Sequence, residues 1–232
     1  TLTLNPQSWS QESGFKKVLS HFYNQTSYLL DRKIKRQNDG FHLNPFKDGG
    51  EDQLGLVLNF RNVLFFNRGK QRYSSSYTFL STSSDNLLAT GLQRNDLNSH
   101  QVNFNHKMFE SWLLNLKGSL DQNKSFSENF PTRIFHIKTK EAAPKMSYLL
   151  NLQTRFDFFY NYKKKQNILG AQESLNQQTL GLSFAWSNAE NFSINGEFNY
   201  IENRFKGSAY SPVAYQMLEG LQPGTNFTWR AL

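Results

Sequence analysis

Cysteine is absent from the 232 residues, which excludes disulfides and any thiolate metal or redox centre. No stretch approaches the roughly 18 consecutive apolar residues of a membrane-spanning helix. No signal-like apolar segment opens the chain, and Thr1 stands where Met would, so the sequence reads as processed or as a fragment. Apolar residues make up only 38%, below the roughly 45–50% of soluble domains. What is abundant is aromatic: Phe 21, Tyr 10 and Trp 4. A chain poor in aliphatics suits a large α/β core badly, and one rich in Phe and Tyr suits disorder no better. Lys+Arg 26 against Asp+Glu 18 leaves a formal charge of +8.

The dominant signal has period two. Leu54, Leu56, Leu58 and Phe60 alternate with polar or small residues. So do Val102, Phe104 and Met108, and then Trp112, Leu114, Leu116 and Leu120. Phe156, Phe158, Tyr160 and Tyr162 follow, then Leu180, Leu182, Phe184 and Trp186, then Ile194, Phe198 and Tyr200. Successive side chains on a strand point to opposite faces, so each segment has one apolar and one wet face. Antiparallel sheets of soluble proteins show the same alternation. Segments of about ten residues, however, match the 9–11 of a tilted membrane strand better than the shorter strands of soluble sheets. Their apolar faces are nearly uniform, with aromatics towards the ends, as interfacial girdles require. The expectation is an all-β fold: an antiparallel transmembrane β-barrel of about ten or more strands, whole or part of a larger one. Leu54, Leu56, Leu58, Phe104, Trp112, Leu114, Leu116, Phe156, Phe158, Leu180, Leu182, Phe184, Trp186, Ile194 and Phe198 are expected to face lipid.

The pattern predicts strands at about 25–36, 53–67, 71–81, 97–108, 111–120, 132–151, 155–164, 177–187, 191–202 and 225–232. Residues 1–24 form an entry segment or further strands, with Thr1–Asn5 and Phe15–Phe22 as candidates, although Phe15, Val18, Leu19 and Phe22 also suit a short amphipathic helix. Residues 25–232 form the barrel with long extracellular loops. Long connections (Gln37–Asp52, Thr82–Asp96, Asp121–Pro131, Lys165–Asn176, Asn203–Gly224) alternate with tight ones at Arg68–Lys70, Phe109–Glu110, Leu152–Thr154 and Asn188–Glu190. An even count places both ends of the barrel on the short-turn, periplasmic side of a bacterial outer membrane. Pro144 lacks a ladder donor, so a bulge or broken pairing is expected there. Asn62 on an apolar face predicts a second bulge. Arg155, Asp157, Lys107, Lys117 and Glu197 should pair across the narrow lumen.

Little in the sequence carries catalytic chemistry. His100 and His106 share a strand face but lie about 20 Å apart along it, too far to share a metal. No histidine precedes the Ser-Asn-Gly-like run of an outer-membrane phospholipase, and no Gly-rich phosphate loop occurs. Only loop acids such as Asp39, Asp48, Glu51 and Asp52 leave a hydrolase reading open. No cofactor or metal is expected. Basic residues are dispersed over alternating strands, which argues against nucleic acid. Arg32–Arg36 and Lys163–Lys165 lie at strand ends, as a solvated rim or as contacts to anionic lipopolysaccharide.

Gly224, Phe227 and Trp229 have the spacing of the glycine-then-two-aromatics signal of a last outer-membrane strand. That resemblance implies recognition by the barrel-assembly machinery. Arg61–Arg68 and Tyr215–Phe227 resemble the C-terminal barrel region of large outer-membrane proteins of Bacteroidota, and the likeness runs over most of the chain. It implies a membrane anchor behind a long exported N-terminal part, and a polypeptide that continues past Leu232. It transfers no catalytic residues. The expected function is therefore a non-enzymatic barrel that anchors a larger polypeptide or serves an outer-membrane export or assembly complex. Outer-membrane lipids and other surface proteins would be its partners, and loops such as Phe41–Phe46 its contacts. A small porin-like transport or receptor barrel is the alternative, and a hydrolase the weaker third.

Overall fold

The computed structural model describes residues 1–6, 13–35, 53–69, 72–89, 91–151, 153–169, 173–188, 192–207 and 227–231. Eleven strands form one sheet: β1 (Leu2–Leu4), β2 (Phe22–Ile34), β3 (Gln53–Phe66), β4 (Tyr73–Leu88), β5 (Gly91–Phe109), β6 (Trp112–Ser127), β7 (Phe135–Leu149), β8 (Thr154–Asn167), β9 (Ser174–Asn188), β10 (Phe192–Lys206) and β11 (Phe227–Ala231). Their order in the sheet is their order in the chain, and every pairing is antiparallel. The all-β antiparallel architecture expected from the period-two pattern is present. Among the described residues, helix is limited to α1 (Phe15–Leu19), a 3-10 turn at Pro131–Arg133 and the 3-10 position Pro6.

Several expectations need correction. The sheet begins at Leu2, so a boundary at residue 24 falls inside β2. Thr1–Asn5 does supply a strand, whereas Phe15–Phe22 supplies α1 and only the start of β2. Most strands run well past their apolar portions, to as many as 19 residues in β5. Thr82–Asp96 is consequently no loop: β4 continues to Leu88 and β5 starts at Gly91. Asp121–Ser127 likewise belongs to β6. In these extensions Ser, Thr and Asn occupy both faces, and backbone ladder bonds hold strands that carry no apolar stripe. The Gln37–Asp52 connection, Phe41–Phe46, the four loop acids and Gly224 lie outside the described residues.

Pro144 breaks the ladder as anticipated, and without a bulge. Ala142 pairs Tyr162 and Lys145 pairs Phe159, while the two intervening pairs are missing and the register is unchanged. The proline simply withdraws a donor. Asn62, by contrast, causes no bulge, for β2 and β3 stay in register through Thr26↔Asn62. The side chain is satisfied laterally: its Nδ2 donates to Thr26 Oγ1 at 2.7 Å and to Asn24 Oδ1 at 3.2 Å. The register shifts lie instead at Lys33/Ile34 and Lys107/Phe109.

On β9, Gly181 lies opposite Phe159, whose ring covers it. A Cβ at Gly181 would sit 2.0 Å from the ring's Cζ, so the ring would have to swing away. This is an aromatic residue shielding a strand glycine. We expect Gly181→Ala to destabilise the fold by about 1–3 kcal/mol in chemical unfolding, and Phe159→Ala to abolish most of that cost. Full additivity of the two substitutions would refute the coupling.

Candidate functional site: an inverted sheet

Directly opposed residues share a face, so the registers sort every described strand from β1 to β10 into two continuous faces. One carries Leu2, Leu4, Phe60, Phe79, Val102 and Tyr148, together with all fifteen residues expected to meet lipid. Leu54 joins by alternation with Leu56, and the others follow through pairs such as Phe104↔Leu116, Trp112↔Tyr148, Phe156↔Phe184 and Phe198↔Leu182. The opposite face carries Ser, Asn, Gln and most of the paired charge.

Exposure runs opposite to polarity. On the apolar face Leu180 is 58% exposed and Phe198 55%. On the polar face Asn203 is 1% exposed and Asn167 3%, and Ser99, Ser119, Ser125, Ser147, Asp157 and Gln177 are buried too. Among the described residues no second layer covers that face. A single sheet that buries one side unaided must curve towards it, so that side chains crowd on the concave side and splay on the convex. Ile137, Leu175 and Phe205, from β7, β9 and β10, meet there in a small apolar cluster.

The convex apolar face has vertical order. Near the tight turns an aromatic row runs through Phe22–Phe66 (centroids 5.1 Å apart), Trp112–Tyr148 (4.7 Å), Phe156–Phe184 (5.0 Å) and Trp186–Phe192 (6.1 Å). Aliphatic residues follow, then Tyr160, Tyr162 and Tyr200. From Trp112 to Leu120 the band measures about 26 Å along the strand and about 20 Å in height at a tilt near 40°, close to the apolar belt of an outer-membrane barrel. Beyond it the same face turns charged: Arg94 grips Asp85 with two bonds of 2.6 and 2.7 Å, and Arg204 grips Glu202.

The sequence reading missed polar groups on this face. His100 receives or gives a 2.7 Å hydrogen bond with Tyr77 Oη, and His106 Nδ1 lies 2.9 Å from the Arg72 carbonyl. Both histidines are the cross-strand neighbours of aromatic residues, a relation visible only once register is known. Among the described residues no three His, Asp or Glu side chains gather to hold a metal.

On the concave face the charges expected to pair across the lumen pair with near neighbours instead. Asp157 accepts from Ser147 Oγ at 2.5 Å and Arg155 Nε at 2.8 Å, with Lys145 Nζ at 3.1 Å. Glu141 meets Lys163 directly opposite at 3.5 Å, and Glu197 accepts from Asn199. None of the described ion pairs includes Lys107 or Lys117. Strand geometry explains this: i, i+2 and directly opposed residues lie within reach of each other. An open recess of about 460 Å³ lies beside the Pro144 gap, lined by Asn115, Lys117, Lys145, Asn161 and Gln177.

The basic run Lys163–Lys165 is split by alternation. Lys163 faces Glu141 on the concave side, while Lys164 lies on the convex side opposite Lys140. Above the apolar band, burial and the cations of Lys124 and Lys138 hold the His136 imidazole below its ordinary pKa. Comparison with known proteins adds nothing to this geometry: no family model, curated protein or solved structure matches the chain. Of the proposed assembly signal, Phe227 and Trp229 fall in β11, in register with Phe205 and Asn203 of β10.

Proposed function

We propose that this chain is a bacterial outer-membrane β-barrel of non-enzymatic function, which anchors a larger polypeptide or serves as an accessory subunit of an outer-membrane export or assembly complex. One observation carries the reading: the face left exposed is the apolar one, and the face that buries itself is polar. In water that arrangement would forfeit the hydrophobic driving force. In a bilayer it places Leu182, Phe158 and Phe198 against acyl chains, and a curved sheet has to close to leave no unpaired edge in lipid. The aromatic rows would take the two interfaces. The tight turns at 67–72, 110–111 and 150–153 would face the periplasm, with the start of β2 and the end of β11 on that side. The longer connections would face outward to bind other surface proteins, and Phe227 and Trp229 would address the barrel-assembly machinery. The convex charges beyond the band would meet lipopolysaccharide, and no nucleic acid is implicated.

The chain refolded from denaturant into lipid vesicles should float with them and show heat-modifiable gel mobility. A chain that instead folds cooperatively in water, with no lipid or detergent, refutes the membrane reading. The concave recess between Lys117 and Lys145 favours, as second reading, a small transport or receptor barrel. A steady solute-sized conductance in a planar bilayer would decide for it and against the anchor.

A further inference from the structure

Lys138 and Lys140 stand on β7, and Lys164 on β8, all on the convex face just beyond the apolar band. Lys140 lies directly opposite Lys164, and Lys138 opposite Gln166. Lys138 and Lys140 are exposed and Lys164 is half-buried. Like charges directly opposed across a strand pair are destabilising, and none of the described ion pairs includes any of the three. The convex positions of β6, from Trp112 to Phe126, include no carboxylate, and neither do those of β7, β8 or β9. Two nearby acids point to the other face: Glu141, which holds Lys163, and Asp121, opposite Thr139, which accepts from Ser119. Elsewhere in the same outer zone cations do have acids, as Arg94 has Asp85 and Arg204 has Glu202. Beside them and towards the tight-turn side, the same face continues as Leu120 and Ala142, both exposed, and Tyr162 and Pro144, both half-buried.

Resting on the membrane reading above, we propose that Lys138, Lys140 and Lys164 form a binding site for the phosphate head of an acylated lipid of the outer leaflet, whose chains lie along Leu120, Ala142 and Tyr162. A phosphate among three ammonium groups relieves their mutual repulsion and gains charge-assisted hydrogen bonds. Apolar contact directly below favours a lipid over a free anion.

The test uses the full chain refolded in detergent, with bis-phosphorylated lipid A as probe and native mass spectrometry as readout. Wild-type protein should retain the lipid. The triple variant Lys138→Gln, Lys140→Gln, Lys164→Gln should bind it at least about tenfold more weakly, since each basic side chain near an anionic lipid surface contributes severalfold. Arg61→Gln, Lys107→Gln, Lys117→Gln removes as much charge from the concave face and should leave binding unchanged. Inorganic phosphate should not displace the lipid, and lipid A stripped of phosphate should not bind. Equal loss in both triple variants, or displacement by inorganic phosphate, overturns the site. Wild-type protein that keeps heat-modifiable mobility yet retains no lipid A overturns the site alone; loss of that mobility removes the membrane reading and the site with it.

Discussion

Leu182→Arg should cost the protein about 2–4 kcal/mol of folding free energy in a bilayer, the range for a cation on the lipid face near the midplane. Leu182 lies between Phe158 on β8 and Phe198 on β10, with Leu180 and Phe184 as its same-face neighbours along β9, so an arginine there meets apolar side chains and no counter-charge, with only the Tyr160 and Tyr200 hydroxyls diagonal to it. Asn195→Arg provides the contrast. It stands on the concave face two residues from Glu197 and should change stability by no more than about 0.5 kcal/mol. Urea titration of vesicle-refolded protein measures both. The sign of the first effect discriminates between environments. Leu182 is 43% exposed, and at so open a position on a water-soluble sheet, arginine would be neutral or favourable. A neutral Leu182→Arg would therefore remove the lipid from the account.

The second large effect belongs to the concave face. Asp157 is the shared acceptor for Ser147, Arg155 and Lys145, and Ser183 Oγ stands 3.4 Å from its other oxygen. Asp157→Ala leaves the cations of Lys145 and Arg155, which flank it on adjacent strands, without their shared counter-charge. Breaking a buried charge network by removing one partner costs about 3–5 kcal/mol. The side chains of Arg155 and Lys145 are 46% and 40% exposed, and solvent screening lowers the expected loss to about 2 kcal/mol. Adding Lys145→Gln to Asp157→Ala should restore part of the stability, because it removes one of the stranded charges. If the double variant unfolds more easily than Asp157→Ala alone, the network does not act through charge.

What the sequence makes legible is the portion of each strand whose two faces differ. Leu180 to Trp186 and Trp112 to Leu120 announce themselves because convex and concave positions carry opposite residue types. The extensions beyond the band are illegible for the converse reason. From Ser81 to Asn86, and from Gln93 to Asn98 apart from Leu97, both faces are polar, and Ser and Asn are also the residues of turns. The ladder between those segments, with Ser83 donating to Asp96 at 2.6 Å and Ser81 to Asn98 at 2.7 Å, becomes visible only when the strands are laid side by side. Pro144 was readable because its defect is intrinsic to the residue. Asn62 was not, since its remedy comes from Asn24 and Thr26, some 36 to 38 positions away in sequence. The lysine site combines both cases: Lys138 and Lys140 show the alternation, but Lys164 joins them only through register, and its own sequence neighbours Lys163 and Lys165 pull the eye to the wrong face.

The strictly sequential strand order bears on how such a molecule comes into being. Each new ribbon needs to find only its predecessor, so the loop that must close is a single connection, the longest of them between Lys206 and Phe227, and closure entropy, which grows only slowly with length, stays modest at every step. On the proposed membrane reading, backbone amides are satisfied strand by strand, and two raw margins, the fixed one on β1 and the advancing one, persist until they meet. A catalyst of assembly would have to shelter both margins, one of them stationary, until they join.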